Sequence, residues 1–183
     1  FFSGSVADLV QMTRIVHSAV HSSGLQSIAL APSTTTRATE SFYRFYFDYI
    51  RELGRAGWPV DGFAVHSYPA SSRGPDGRAA GLTLFRGMLD LAQAPDLPIY
   101  DTEVNYGLAG LSEPKRSITG AEAQGYIAQT FIDSVRLGIS EVDWYLWSGS
   151  PFTLLGIELN PTTQSTIAAW RWTYDQLLGA EAS

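Results

Sequence analysis

The sequence contains no cysteine. A disulfide framework, a thiolate metal site and a cysteine nucleophile are therefore excluded, and the redox compartment stays open. Nor is there an apolar run approaching the ~18 residues of a transmembrane helix, and no leader of the secretory kind is recognisable. Positive charge is scarce: 12 Lys and Arg stand against 18 Asp and Glu, a formal charge of −6. They form no basic stripe, which argues against nucleic acid as a partner. What is present is a globular composition. With 183 residues, 45% of them hydrophobic and 13% aromatic, the chain can build one domain with its own core. It opens on Phe1-Phe2 rather than Met and is expected to be a processed or truncated piece.

Ser5-Val6-Ala7-Asp8 has the form of a capping box. Val6, Leu9, Val10, Ile15, Val16, Ala19 and Val20 then recur at helical spacing and Gly24 supplies a stop, so a helix is expected over 5–23. Ser27 to Ala31 predicts a strand closed by Pro32, with Ile28 and Leu30 on one side and Ala29 and Ala31 on the other. A second helix is expected over 40–55, where six of the eight residues from Phe42 to Tyr49 are aromatic. Such a helix needs contacts on more than one side. Phe63 to Tyr68 reads as a strand, 70–81 as a long Gly-, Ser- and Pro-rich loop, and 82–94 as a helix. A third strand begins at Pro98, where a proline sacrifices no ladder donor. Thr119-Gly120-Ala121-Glu122 predicts another capping box, ahead of a helix with Ala123, Ile127, Phe131 and Val135 on its stripe and Gly138 behind it. Glu141 to Trp147 reads as the fourth strand. The last helix, about 163–178, carries Ile167, Trp170, Tyr174, Leu177 and Leu178. The expected fold class is α/β: a single domain over 1–183, a helix followed by four βα units, with parallel strands and right-handed crossovers.

In such an array the strand C-termini share one edge, and ligands bind there. Read to that edge, the strands present Ser33, then His66 with Tyr68, then Glu103, then Trp147. Charged side chains seldom enter an apolar strand unless they are paired or used, which makes Glu103 the leading candidate. Alternation places Asp101 on Glu103's face, and Tyr145 and Asp143 on Trp147's, with Val142, Trp144 and Leu146 under the helices. Taken singly, each residue is more often scaffold than site, and Asp101 and Asp143 could simply be paired inside the sheet. Their convergence on one edge favours an active site. His17 and His21 lie four apart on a helix, as metal ligands do. No acidic third ligand is evident beside them, so a surface helix face is expected and no metal is assigned.

In this order the residues resemble the retaining glycoside hydrolases of clan A, which are (β/α)8 barrels. There the nucleophilic Glu ends strand seven, usually as Thr-Glu followed by an aromatic or Gly; here the segment reads Asp101-Thr102-Glu103-Val104-Asn105-Tyr106-Gly107. His66-Ser67-Tyr68 is similar to the His-x-Tyr ending of strand six. Trp147 is similar to the strand-eight Trp that floors a sugar subsite. Leu155-Gly156-Ile157 through Pro161-Thr162 to Leu177-Leu178-Gly179 resembles the last loop and helix. The resemblance implies a half-barrel, strands five to eight of a TIM barrel, and retaining cleavage of β-linked glycans. Glu103 would be the nucleophile; His66, Tyr68, Trp147, Asn105 and Tyr106 would bind substrate; Asp101, Asp143 and Tyr145 would support them; no cofactor is implied. The family's acid/base Glu ends strand four, generally in an Asn-Glu dipeptide, and its counterpart would precede Phe1. The chain alone is therefore expected to hydrolyse little or nothing. An oligo- or polysaccharide is the expected partner. Four strands leave two unpaired edges, so a homo-oligomer or association with an N-terminal half-barrel is expected too. The resemblance leans towards secretion. Two alternatives stay open: a non-catalytic carbohydrate-binding or scaffold half-barrel, and a metal-dependent hydrolase using His66 with Asp101 or Asp143.

Overall fold

A computed structural model of the chain describes residues 2–37, 39–110, 113–146, 155–159 and 164–177. Helix α1 (Val6–Ser22) starts where its capping box predicts: Ser5 Oγ accepts from the Asp8 N–H, and the Asp8 carboxylate accepts from the Ser5 N–H. Four units follow: β1 (Leu30–Thr35) with α2 (Glu40–Arg55), β2 (Gly62–His66) with α3 (Pro75–Leu91), β3 (Ile99–Val104) with α4 (Gly120–Arg136), and β4 (Ile139–Trp144) with α5 (Gln164–Leu177). The strands form one parallel sheet in the order β1-β2-β3-β4. Among the described residues the sheet does not close on itself, and β1 and β4 are each paired along one side. Among the described residues no helix is long and apolar enough to cross a membrane.

Three local expectations need correction. Strand β1 runs through Pro32 instead of stopping there. Pro32 falls where the register against β2 shifts, between Ala31 and Thr34, and an edge strand tolerates a missing donor at such an irregularity. Ser33 is consequently an exposed residue inside the strand rather than its tip. Helix α3 begins seven residues before the expected 82, because Pro75 occupies its first turn with Asp76 beside it. Both are helix-start signals that outweigh the glycines of that stretch. Finally, Thr119 caps α4 without a side-chain bond, since Glu122 turns outward to pair with Arg116.

Two buried clusters cover the helix side of the sheet. The first joins α2 and α3 to the early strands through Tyr46, Tyr49, Ile50, Leu53, Phe63, Val65, Leu82 and Phe85. Here the aromatic helix α2 meets the several contacts its circumference requires. Tyr46 Oη donates to the Pro32 carbonyl at 3.1 Å, and Tyr49 Oη lies 3.0 Å from Thr13 of α1. The second cluster gathers Val104, Tyr106, Ile118, Ile127, Ile157 and Leu159 under α4 and α5. On the opposite face the chain packs closely at Gly62, where an added Cβ would stand 2.8 Å from both the Tyr100 ring and the Pro98 carbonyl.

Burial pushes the Tyr49 phenol up to about 12, against a partial lowering by Thr13, and drives Tyr46 further the same way. A phenol with a higher pKa folded than unfolded keeps its proton in the native state after the unfolded chain has lost it. Its stabilising share is intact below the ordinary tyrosine value of ~10 and is lost as pH rises above that. Urea unfolding should therefore show stability falling progressively above about pH 10. Tyr49→Phe should cost about 1 kcal/mol at neutral pH and flatten the alkaline decline by up to ~1.4 kcal/mol per pH unit. An equally steep decline in the variant would contradict this assignment.

Candidate active site

Strands β2 and β3 lie side by side with His66 opposite Glu103. Strict alternation would put Asp101 on the face of Glu103, but β3 is bulged: its register against β4 shifts between Asp101 and Val104, and against β2 near His66. Asp101 and Val104 are both fully buried. Both turn to the helix side, with two residues between them instead of one, and the extra residue aims Glu103 the other way.

On the helix side Asp101 meets Arg78 of α3. Arg78 Nη2 donates to Asp101 Oδ2 at 2.6 Å, and Nε reaches the same oxygen at 3.1 Å and Ser67 Oγ at 2.7 Å. The guanidinium is completed by Ser134 Oγ and the Thr130 carbonyl of α4. Ser67 donates its own N–H to Asp101 Oδ1 at 3.1 Å and its hydroxyl to Oδ2. One buried ion pair thus ties together α3, α4, the residue between His66 and Tyr68, and the residue two before Glu103.

On the other side Tyr68 Oη donates to Glu103 Oε2 at 2.7 Å, and His66 Nδ1 lies 3.4 Å from the same oxygen. The His66 and Tyr68 rings meet edge to face, 6.3 Å between centroids. Glu103 retains about a third of its side-chain exposure, and among the described residues its Oε1 has no hydrogen-bond partner. Burial, then the hydrogen bond to Glu103 and its charge, push the Tyr68 phenol far above its ordinary value, with Tyr145 adding to the effect. Tyr68 is therefore a fixed donor across the physiological range.

The loops above this edge are tied to one another. Arg37, past the end of β1, donates to the carbonyls of Leu108 and Ala109 beyond β3 at 2.7 and 3.1 Å. Gly110 has a φ of 129°, and a Cβ there would meet that guanidinium at 2.6 Å. The Glu113 carboxylate accepts from Ser71 Oγ and Ser72 Oγ, both at 3.0 Å. Thr36 Oγ1 donates to the Tyr68 carbonyl at 3.1 Å.

The expected site residues therefore divide. His66, Tyr68 and Glu103 come together. Asp143 is exposed on β4, flanked by Val142 and Trp144, which pack on the helix side as expected. Tyr145 is half-buried just past β4. Asn105 and Tyr106 do not join the edge. Asn105 is buried with its amide consumed: Nδ2 donates to the carbonyls of Tyr145 and Ile157 at 2.7 and 2.8 Å, and Oδ1 accepts from the N–H groups of Tyr106 and Ile157. Tyr106 is core, packed against Tyr126 and Trp144 with its hydroxyl 2.6 Å from Thr130 Oγ1. Trp147 lies outside the described residues, as do Pro161, Thr162, Leu178 and Gly179. A metal held by His66 with Asp101 does not fit, because Asp101 faces away and is committed to Arg78. Among the described residues, the three ligand groups close enough to share an ion are instead His17, His21 and Asp61, at the other end of the strands.

Sequence reasoning missed Arg78, Ser67, Arg37 and Glu113. Arg78 was legible in principle, one turn inside a helix announced by Pro75 and Asp76. Arg37 and Glu113 were not, since their partners lie 71, 72 and 42 residues away.

The sequence matches no family model and no curated protein. The fold does have counterparts among solved structures. It superposes on a glucosidase from Croceicoccus marinus with a TM-score of 0.68 at 15% identity, covering 96% of this chain and 37% of that one. A monomeric beta-xylosidase from Caulobacter crescentus CB15 gives 0.61 at 16% identity, covering 97% and 38%. A GH39 enzyme from Xanthomonas axonopodis pv. citri gives 0.61 at 13%, covering 91% and 36%. The chain thus spans little more than a third of the length of each. Its four-stranded parallel sheet matches part of a TIM-barrel-like glycoside hydrolase fold.

Removing one member of a buried ion pair leaves the other charge uncompensated. Arg78→Met should therefore destabilise the chain by about 3–5 kcal/mol, while Arg78→Met with Asp101→Leu should recover most of that loss. A urea-denaturation double-mutant cycle with no coupling between the two would show that the pair does not hold β2, β3 and α4 together.

Proposed function

We propose that this chain carries the nucleophile side of a retaining glycosidase site for β-linked oligo- or polysaccharides, with Glu103 as the nucleophile. The observation that carries this reading is the asymmetric environment of the Glu103 carboxylate. One oxygen is held by a buried phenol and faces an imidazole, while the other has no hydrogen-bond partner among the described residues and the side chain keeps about a third of its exposure.

In this reading Glu103 Oε1 attacks the anomeric carbon, forming a C–O bond as the bond to the departing sugar oxygen breaks. The leaving oxygen takes the electron pair and must receive a proton. Water then cleaves the glycosyl ester, giving up its proton to the same group that protonated the leaving group. Tyr68 fixes the carboxylate's rotation, and His66 lies against the same oxygen. Trp147 is assigned to the sugar's apolar face, and Asp143 and Tyr145 to supporting roles.

Retaining hydrolysis needs a second carboxyl about 5–5.5 Å from the first. Among the described residues the groups that meet Glu103 are a phenol and an imidazole. We assign the acid/base to a complementary half-barrel, in the same polypeptide or a separate one, which would also cover the free edges of β1 and β4. A second copy of this chain could cover those edges without supplying the acid in the family's position. The named activities of the structural neighbours make aryl glucosides and β-xylosides the first substrates to try.

Turnover should be negligible with this chain alone and appear once the complementary half is supplied. In that setting Glu103→Gln should lower kcat by roughly a thousandfold or more. Tyr68→Phe should lower it by roughly a hundredfold, about the loss expected for one positioned donor. Full turnover by Glu103→Gln would end the nucleophile assignment. Sugar binding with no hydrolysis in the complete assembly would instead favour a non-catalytic carbohydrate-binding half-barrel.

A further inference from the structure

At the N-terminal ends of the strands, away from Glu103, three side chains converge that the reading above does not use. His17 and His21 stand one turn apart near the end of α1, with ring centroids 4.3 Å from each other. Asp61, immediately before β2, faces both. Its Oδ1 is 3.0 Å from His21 Nε2 and 3.7 Å from His17 Nε2. All three ligand atoms lie within 4.8 Å of one another.

Hydrogen bonding accounts for the approach of His21 but not for that of His17. His21 can bond the carboxylate, but His17 Nε2 stops too far away for a hydrogen bond while still pointing at the same oxygen. Meanwhile Asp61 Oδ2 accepts the Ala29 N–H at 2.7 Å. The carboxylate is thus held by the backbone from one side; Oδ1 faces both imidazoles, and His21 Nε2 lies 3.1 Å from Oδ2 as well. Metal-ligating carboxylates are held by such a partner behind the ligand shell.

We propose that His17, His21 and Asp61 form a binding site for a transition-metal dication of the zinc class. Two imidazoles with one carboxylate suit zinc, cobalt or nickel better than calcium or magnesium, which prefer all-oxygen shells. At zinc–ligand lengths of about 2.0–2.2 Å the ligand atoms of a tetrahedral site sit roughly 3.4 Å apart. The observed spacing reaches that with small side-chain adjustments. His21 is half exposed and His17 and Asp61 about a quarter, leaving an entry path and room for water as the fourth ligand. The ion's role is structural. It staples the last turns of α1, where Ile15 and Val16 are exposed and no residue is fully buried, to the starts of β1 and β2.

The test uses the full chain stripped with chelator and then titrated with zinc. Calorimetry should show one equivalent bound, and the thermal midpoint should rise by several degrees at saturating metal. His17→Gln and His21→Gln should each weaken binding by about a hundredfold or more. The sequence has three histidines, so the double variant leaves His66 as the sole imidazole and should show no midpoint rise. Both side chains lie at the surface, so the metal-free variants should keep the wild-type circular dichroism. In the wild type, cobalt(II) should give the intense visible bands of a tetrahedral site. No saturable uptake, a cobalt spectrum like that of the aqueous ion, or unchanged affinity in the double variant would each overturn the proposal.

Discussion

The arrangement of this molecule depends on one ion pair in a place where charges are expensive. Arg78 and Asp101 are almost completely removed from water, and each would cost several kcal/mol there unpaired. They are tolerated because every strong donor and acceptor around them is engaged, from Ser67 at the end of β2 to Thr130 and Ser134 on α4. An apolar cluster of the same volume would stabilise as well, yet it would not fix direction. Hydrogen bonds to Ser67 and Asp101 set how far β2 stands forward relative to β3, and so set the distance between the residues that flank Ser67 and the carboxylate two positions beyond Asp101. The geometry on the open face is specified from the covered one.

That division explains what the sequence disclosed. The βα alternation, the helix limits at Ser5 and Gly138, and the meeting of His66, Tyr68 and Glu103 all follow from periodicity and punctuation, which are local properties. Asp101 was misplaced because period-two alternation assumes an unbroken ladder, and a β-bulge has no signature in a single sequence. Asn105 and Tyr106 were drawn to the edge by their nearness to Glu103. Beyond a strand's end, though, the chain turns, and both side chains satisfy the backbone and core instead. Arg37, Glu113 and the partner of His17 and His21 depend on contacts between distant segments, which no local pattern encodes.

The two ends of the sheet carry different chemistry. At the C-terminal ends a carboxylate is oriented by the Tyr68 hydroxyl beside an imidazole and left partly open. At the N-terminal ends two imidazoles and a carboxylate crowd one another beside the closing turns of α1. A parallel array permits this separation because all strand starts share one end and all strand tips the other. Changes at one end need not disturb the other.

The cross-ties over the strand tips have a further consequence. Arg37 bridges from beyond β1 to beyond β3, and Glu113 clamps the segment after β2. Much of the conformational freedom of these segments is surrendered during folding itself. A ligand reaching these strand tips would meet segments already tied to one another, so little of its affinity would be spent on bringing loops to order. Discrimination at such pre-tied tips would come from shape and hydrogen-bond fit at first contact, and not from a closure that only the right ligand can trigger.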